Sequence, residues 1–236
     1  MISKKMQAMV NSSSAIRAMF EEGKRLASLW GEDKVFDFSL GNPNIAPPAA
    51  VADAVRAELQ ADDPVFLHGY MSNAGYDDVR AKIASSLNAR FGTNYEGGGV
   101  VMTVGAAGGL NVVLKSLLDD GDEVIVVSPY FGEYRCYAAN FGGKLVEVPA
   151  LADFMPDCAA IEAAVGERTK AVIVNSPNNP TGAVYGADVL KELAQALERA
   201  SKRAGRPVYL ISDEPYRELV YGGAVQPYVG AYYRNT

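Results

Sequence analysis

Histidine occurs once, at His68, and cysteine twice, at Cys136 and Cys158. One histidine leaves a histidine-based triad a single possible base and rules out a metal site built from several imidazoles. The cysteines show no metal-ligand spacing and form no disulfide framework, so both read as small apolar side chains of a reducing compartment. Long apolar runs are missing as well. The short one after Lys4 and Lys5 ends in Asn11, Ser12, Ser13 and Ser14, which fits neither a signal peptide nor a membrane span. The expected location is cytoplasmic. Positive charge is not in excess either. The net charge is −6, and an acidic surface gains nothing from nucleic acid or an anionic membrane. A small anionic ligand stays open, because local N–H groups bind phosphate whatever the global charge.

What is present suits a soluble protein with an ample core: 49% of residues are hydrophobic and 21% charged. Ser14 reads as the N-cap of an amphipathic helix with Ile16, Phe20 and Leu26 among its apolar positions. An extended segment over 35–40 leads to Gly41, Asn42 and Pro43, and Pro47–Pro48 opens a helix over 49–59. An irregular loop over 68–75 precedes a helix over about 76–91, and Gly97, Gly98 and Gly99 suggest a subdomain boundary. From Val100 onward strands and helices alternate. Strands are expected over 100–104, 123–127, 144–148, 170–174 and 208–211. The helices among them cover about 106–118, with Leu110, Val113, Leu114, Leu117 and Leu118 as one stripe, a segment around Ile161, and about 187–202. The fold class is α/β with a mostly parallel sheet.

Several unusual loops follow these strands directly. Residues 175–182 read Asn-Ser-Pro-Asn-Asn-Pro-Thr-Gly, and the prolines stiffen a loop at the carboxyl end of a strand, where open α/β sheets bind ligands. The bland alternative is a well-ordered turn. Gly105, Ala106, Ala107 and Gly108 open a helix whose free N–H groups a phosphate can approach, or they serve only close helix–sheet packing. They do not fit Gly-x-Gly-x-x-Gly, and no Walker Gly-Lys-Ser/Thr occurs in the chain. Asp213 ends an apolar strand, where an unpaired carboxylate is costly, so it needs a cation or hydrogen-bond donors. Tyr216 follows three residues later, and Phe131 or Tyr130 offers an aromatic face. A phosphate cradle, an aromatic plate, an amide, a carboxylate and a phenol together suit a planar phosphorylated heteroaromatic cofactor.

These loops resemble the large domain of fold-type I, pyridoxal-phosphate-dependent aminotransferases of class I/II, the aspartate aminotransferase-like group. The matching runs are 39–43, 69–75, 103–107, 121–124, 128–131, 175–182 and 212–216, in the family's order and across nearly the whole chain. The resemblance implies a three-layer sandwich, with residues 1–45 as an N-terminal segment and part of a small domain. Residues 46–236 are then a cofactor-binding large domain that is incomplete at its C-terminal end.

By the same resemblance the cofactor is pyridoxal 5'-phosphate and the reaction is amino-group transfer between an amino acid and a 2-oxo acid. Asp213 is expected on the pyridine nitrogen, and Asn179 and Tyr216 on the ring's phenolic oxygen. Phe131 (or Tyr130) stacks on the ring face, and the backbone of Gly105, Ala106 and Ala107 holds the phosphate. Gly41 and Asn179 lie on the substrate side. Tyr70 is expected to reach the phosphate of a neighbouring subunit, which implies a homodimer. The Asn179–Pro180 peptide is expected to be cis.

The lysine that the family links covalently to the cofactor, and the arginine that grips the substrate carboxylate, have no counterpart here. The expectation is an amino-terminal portion of a longer protein that does not turn over by itself; the alternative is a complete, naturally lysine-free relative. Carbon–sulfur lyases and other eliminating enzymes share most of these loops. A non-catalytic cofactor-binding regulatory domain and a nucleotide-binding domain using Gly105 to Gly109 are the readings from other classes. The last leaves Asn179, Asp213 and Tyr216 without a role.

Overall fold

The computed structural model describes residues 2–11, 15–39, 41, 45–60 and 63–236. The chain falls into two compact units, Met1–Tyr70 and Met71–Thr236. The first is helical in its described residues: α1 (Lys4–Asn11), α2 (Ala15–Trp30), a 3-10 turn (Glu32–Lys34), α3 (Ala49–Leu59) and α4 (Pro64–His68). In α4 the Asp63 carboxylate accepts the Phe66 N–H at 2.8 Å, and Pro64 stands at the first helical position, where a missing N–H is harmless. Phe20 and Leu26 of α2 are half-buried, whereas Ser14, the Ile16 side chain, Leu40, Asn42 and Pro43 lie outside the described residues.

The second unit begins with α5 (Asp77–Phe91), a 3-10 turn (Gly97–Gly99) and α6 (Gly105–Leu117). It continues through β1 (Glu123–Ser128), α7 (Glu133–Asn140), β2 (Lys144–Pro149), α8 (Cys158–Ala164), β3 (Thr169–Asn175), α9 (Ala187–Ala204) and β4 (Tyr209–Asp213). The four strands are parallel throughout, in the order β2-β1-β3-β4. β1 and β3 carry continuous apolar stretches, Val124 to Val127 and Ala171 to Val174, buried on both faces, as a strand covered from both sides requires. Val124, Val126, Ala171 and Ile173 pack with Leu110, Leu114 and Leu118 and with Tyr134 and Ala138 of α7. Ile125, Val127, Val172 and Val174 pack with Ile161 of α8 and with Leu190, Leu193 and Leu197 of α9. Helices therefore cover both faces, and the result is the expected three-layer α/β sandwich. Each fully buried Leu or Ile contributes about 1.5–3 kcal/mol of transfer free energy, which makes the two clusters the main source of cohesion.

Three expectations change. Residues 100–104 form no strand: Val101 and Val104 are 56% and 95% exposed, and the Met102 N–H donates to the Ala74 carbonyl rather than to a ladder. Apolar, β-branched composition favours extended backbone, but a strand also needs a partner, and no described strand runs beside this segment. The stripe on α6 keeps Leu110 and Leu114, with half-buried Leu117 packed beside them and Leu118 just beyond, while Val113 faces outward at 38% exposure. The Gly97–Gly99 turn marks no boundary and lies inside the second unit.

Candidate active site

After β2 the chain returns to the other side of β1 to form β3, so the order reverses between β1 and β3. Open α/β sheets leave a crevice at such a point, outside the carboxyl ends of the strands. A cavity of about 220 Å³ lies there. Phe131 comes to it from beyond β1, Asn175 and Asn179 from the end of β3, and Asp213, Pro215 and Tyr216 from the end of β4. Ala106, Ala107 and Leu110 of α6 and Tyr137 of α7 close the remaining wall.

The loop over 175–182 is held by its own side chains. Asn175 is 4% exposed and stands level with Asp213 across the β3–β4 pair. Its Nδ2 donates to the Asp213 carbonyl at 2.8 Å, and its Oδ1 accepts the Asn179 N–H at 2.6 Å. Asn178 Oδ1 accepts from the Thr181 N–H and hydroxyl at 3.2 and 2.9 Å, while Ser176 Oγ donates to Gln226 Oε1 at 2.6 Å. Gly182 closes the turn at φ 73°, a left-handed conformation that glycine adopts without strain. The Asn179–Pro180 peptide is cis, as expected, and so are Ser128–Pro129 and Ser176–Pro177. Asn175 and Asn178 thus build the loop, while the Asn179 side chain lines the cavity. Its Nδ2 lies 3.4 Å from Tyr216 Oη, at the long limit of a hydrogen bond.

Asp213 is the only formally charged residue among those lining the cavity. It is buried, and among the described residues no lysine or arginine is within ion-pair distance of it. Burial holds its carboxyl above the usual range, the hydrogen bond from Tyr134 acts in the opposite direction, and the Glu214 charge adds to the rise. Tyr134 Oη donates to Asp213 Oδ2 at 2.6 Å.

On the opposite wall, Gly105 starts α6 at φ 69°. Its N–H donates to the Thr103 carbonyl at 3.0 Å and Gly105 does not line the cavity. The N–H groups of Ala106 and Ala107 belong to the first turn, where no intrahelical acceptor exists, and the N-cap, Val104, makes no side-chain cap. Of the three residues Gly105, Ala106 and Ala107, the last two line the cavity. Phe131 lines the cavity and Tyr130 does not; the Tyr130 hydroxyl donates to Glu147 at 2.8 Å. Tyr70 and Gly41 belong to the first unit, and both are exposed. His68, given no chemical role, is exposed at the end of α4.

Sequence reasoning overlooked Tyr134 and read Asn175 only as part of a stiff loop. Tyr134 lies three residues after Phe131, across the turn that opens α7, and that spacing was the available signal. Asn175 is distinguished by the β3–β4 register, which no sequence pattern reveals.

A doubly wound sheet with one carboxylate, an amide–phenol pair and an uncapped helix N-terminus around a switch-point crevice defines a cofactor-binding α/β protein. Its family follows from comparison with known proteins: the model for aminotransferase class I and II matches residues 33–232, and the chain belongs to that family, whose members use pyridoxal 5'-phosphate. The chain is 36% identical over 226 residues to the aspartate/prephenate aminotransferase of Thermus thermophilus, covering 94% of this chain and 54% of that one. An aminotransferase structure from Eubacterium rectale superposes with a TM-score of 0.94 at 43% identity, covering 100% of this chain and 60% of that one. Aspartate aminotransferase from Thermus thermophilus with maleate gives 0.81 at 34% identity, covering 98% and 57%. The chain spans about half the length of the curated relatives it matches. Among the described residues no group of His, Cys, Asp and Glu is arranged to hold a metal, and no helix is long and apolar enough to cross a membrane.

Proposed function

We propose that this chain carries the pyridoxal 5'-phosphate site of an aminotransferase that moves an amino group between an amino acid and a 2-oxo acid. The observation that carries the reading is the buried Asp213 carboxylate, with no cation beside it among the described residues, facing the same 220 Å³ cavity as the uncapped start of α6. One wall favours a cation and the other an anion. A protonated pyridine nitrogen and a phosphate on one small molecule meet both demands, so the residues present fit the cofactor. When bound, it supplies an electron sink for the charge left as a proton leaves the substrate's α-carbon. Asp213 holds the proton on the ring nitrogen, Asn179 and Tyr216 donate to the ring oxygen, and Phe131 covers one ring face. The N–H groups of Ala106 and Ala107 bind the phosphate.

We assign residues 1–45 to an N-terminal and small-domain segment and 46–236 to the cofactor domain, following the family resemblance. The fully exposed Tyr70 ring, at 109% of its reference area, supports a homodimer in which this phenol reaches the neighbouring phosphate. Gly41, which is also exposed, is assigned to the substrate carboxylate. Two free cysteines agree with a cytoplasmic protein.

The test has two arms. Titrating the purified chain with pyridoxal 5'-phosphate should give saturable binding that weakens at least tenfold in Asp213→Ala. Pyridoxal lacking the phosphate should bind more weakly. The whole protein should then convert aspartate and a 2-oxo acid into the new amino acid. Absence of saturable binding by the folded chain overturns the cofactor reading; release of ammonia and pyruvate instead of amino transfer moves the assignment to an eliminating enzyme.

A further inference from the structure

Tyr134 lies outside the cavity lining, and its hydroxyl is bonded to a side-chain carboxylate within it. It is 2% exposed, fixed at the start of α7 by its own N–H, which donates to the Phe131 carbonyl at 3.1 Å. Its ring meets Phe131 edge-on, with centroids 5.6 Å apart and planes at 85°, and lies parallel to Tyr130 at 6.4 Å. Its hydroxyl donates to Asp213 Oδ2 at 2.6 Å, while Asp213 still lines the cavity. The same side chain therefore braces both the plate and the carboxylate.

We propose that Tyr134 is a positioning residue: its phenol ties one oxygen of Asp213, turns the other toward the cavity, and holds Phe131 edge-on beside it. The claim deepens the cofactor reading above and rests on that reading for its second measurement only. A carboxylate with one oxygen occupied by a short bond from a buried donor has lost the freedom to rotate away. Such a bond to an ionised group is among the stronger hydrogen bonds in proteins. Burial and the adjoining Asp213 push the Tyr134 phenol well above its ordinary range, so it stays protonated and remains the donor.

The groups facing Asp213 are few. Tyr134 and Tyr137 come from α7, and Glu214 and Tyr216 from the residues after β4. Asn175 on β3 is neutral and bonds the Asp213 backbone. Glu214 is itself paired, with the Arg217 Nε donating to its Oε2 at 2.6 Å. Tyr134 is the sole donor to the Asp213 carboxylate among the described residues, so its loss has to be felt there.

The first measurement follows the Asp213 carboxyl by carbon-detected magnetic resonance in the cofactor-free chain, assigned with Asp213→Asn. Tyr134→Phe should move its titration to distinctly higher pH. Tyr185→Phe, which removes a buried hydroxyl from the core cluster under α9, should leave it in place. The second measurement is pyridoxal 5'-phosphate affinity against pH. Tyr134→Phe should weaken binding about tenfold at neutral pH, as expected for a lost bond to a charged group, and shift the acid-side fall in affinity upward. An unshifted Asp213 titration in a folded Tyr134→Phe chain overturns the proposal, whatever the cofactor does. A shifted titration with no cofactor binding by the wild-type chain sustains the tyrosine's role and overturns the cofactor reading instead. Should Tyr134→Phe prove unfolded, Tyr134→Leu, smaller and without a donor, serves as the second variant, and an Asp213 titration equal to wild type there also overturns the proposal.

Discussion

Asn175 allows the sharpest quantitative test of how the site is held. Its side chain spans β3 and β4 at the level of Asp213, with one bond to the Asp213 carbonyl and one from the Asn179 N–H. Asn175→Ala leaves a donor and an acceptor unpartnered beside a residue only 4% exposed. Each buried group left without a partner costs about 1–3 kcal/mol. The cavity lets water reach part of this space, so a total of roughly 2–4 kcal/mol is expected. Urea unfolding should register it as a lower midpoint at an unchanged slope, together with weaker cofactor binding, since Asn179 and Asp213 lose their common tie. Asn175→Asp keeps the acceptor for Asn179 and sets a second carboxylate next to Asp213. Like charges at that range oppose ionisation. Its penalty should therefore grow between about pH 4 and about pH 8, across and above the ordinary carboxyl range. A loss under about 1 kcal/mol for Asn175→Ala, or a pH-independent Asn175→Asp, would refute the claim that these two bonds hold the site.

Three further outcomes are expected. Asp213 has a raised carboxyl in the fold, chiefly through burial, so its protonated form favours folding. That contribution is present at low pH and is lost as pH rises through the raised value. Asp213→Asn should flatten this part of the profile and raise the neutral-pH urea midpoint of the cofactor-free chain while weakening cofactor binding; a lower midpoint contradicts the assignment. Ala106→Pro removes one first-turn N–H at a position where proline is tolerated, after a glycine that eases the restriction on its predecessor. Affinity for pyridoxal 5'-phosphate should fall about tenfold, the size of one charge-assisted bond, with pyridoxal affinity little changed. Among the described residues no lysine lines the cavity. Borohydride treatment of the loaded 236-residue chain, read by peptide mass spectrometry, should find no lysine adduct that depends on Asp213.

Periodicity and apolar runs were enough to locate β1, β2, β3, β4 and α9 to within a residue or two, because a strand buried on both faces has little choice of composition. Residues 100–104 carried the same signal and formed no strand, since composition reports extended backbone and says nothing of a neighbour. In the site, Asn179, Asp213, Tyr216, Phe131, Ala106 and Ala107 were legible as chemistry-bearing residues at or after expected strand ends, and the structure gathers all six around one cavity. Asn175 and Tyr134 were not. Their importance lies in which groups they bond, and that depends on strand register and on the pitch of α7.

The charge pattern also decides between the cofactor reading and a nucleotide site. Apart from Asp213 the cavity lining is neutral, and its positive end is the start of α6. A nucleotide brings phosphates that suit α6 but no cation for Asp213. Its base would leave that carboxylate desolvated with no cation beside it, which is the costly arrangement. A phosphorylated pyridine satisfies both ends and protonates where the carboxylate can hold the proton. Adenosine triphosphate should therefore compete with pyridoxal 5'-phosphate no better than inorganic phosphate does at equal ionic strength, and tighter competition would mean that Asp213 is not what selects the ligand. The Tyr134 bond strengthens the discrimination. By keeping one carboxylate oxygen satisfied it favours the ionised form of Asp213 against the pull of burial, and only an ionised carboxylate can prefer a cation over a neutral base.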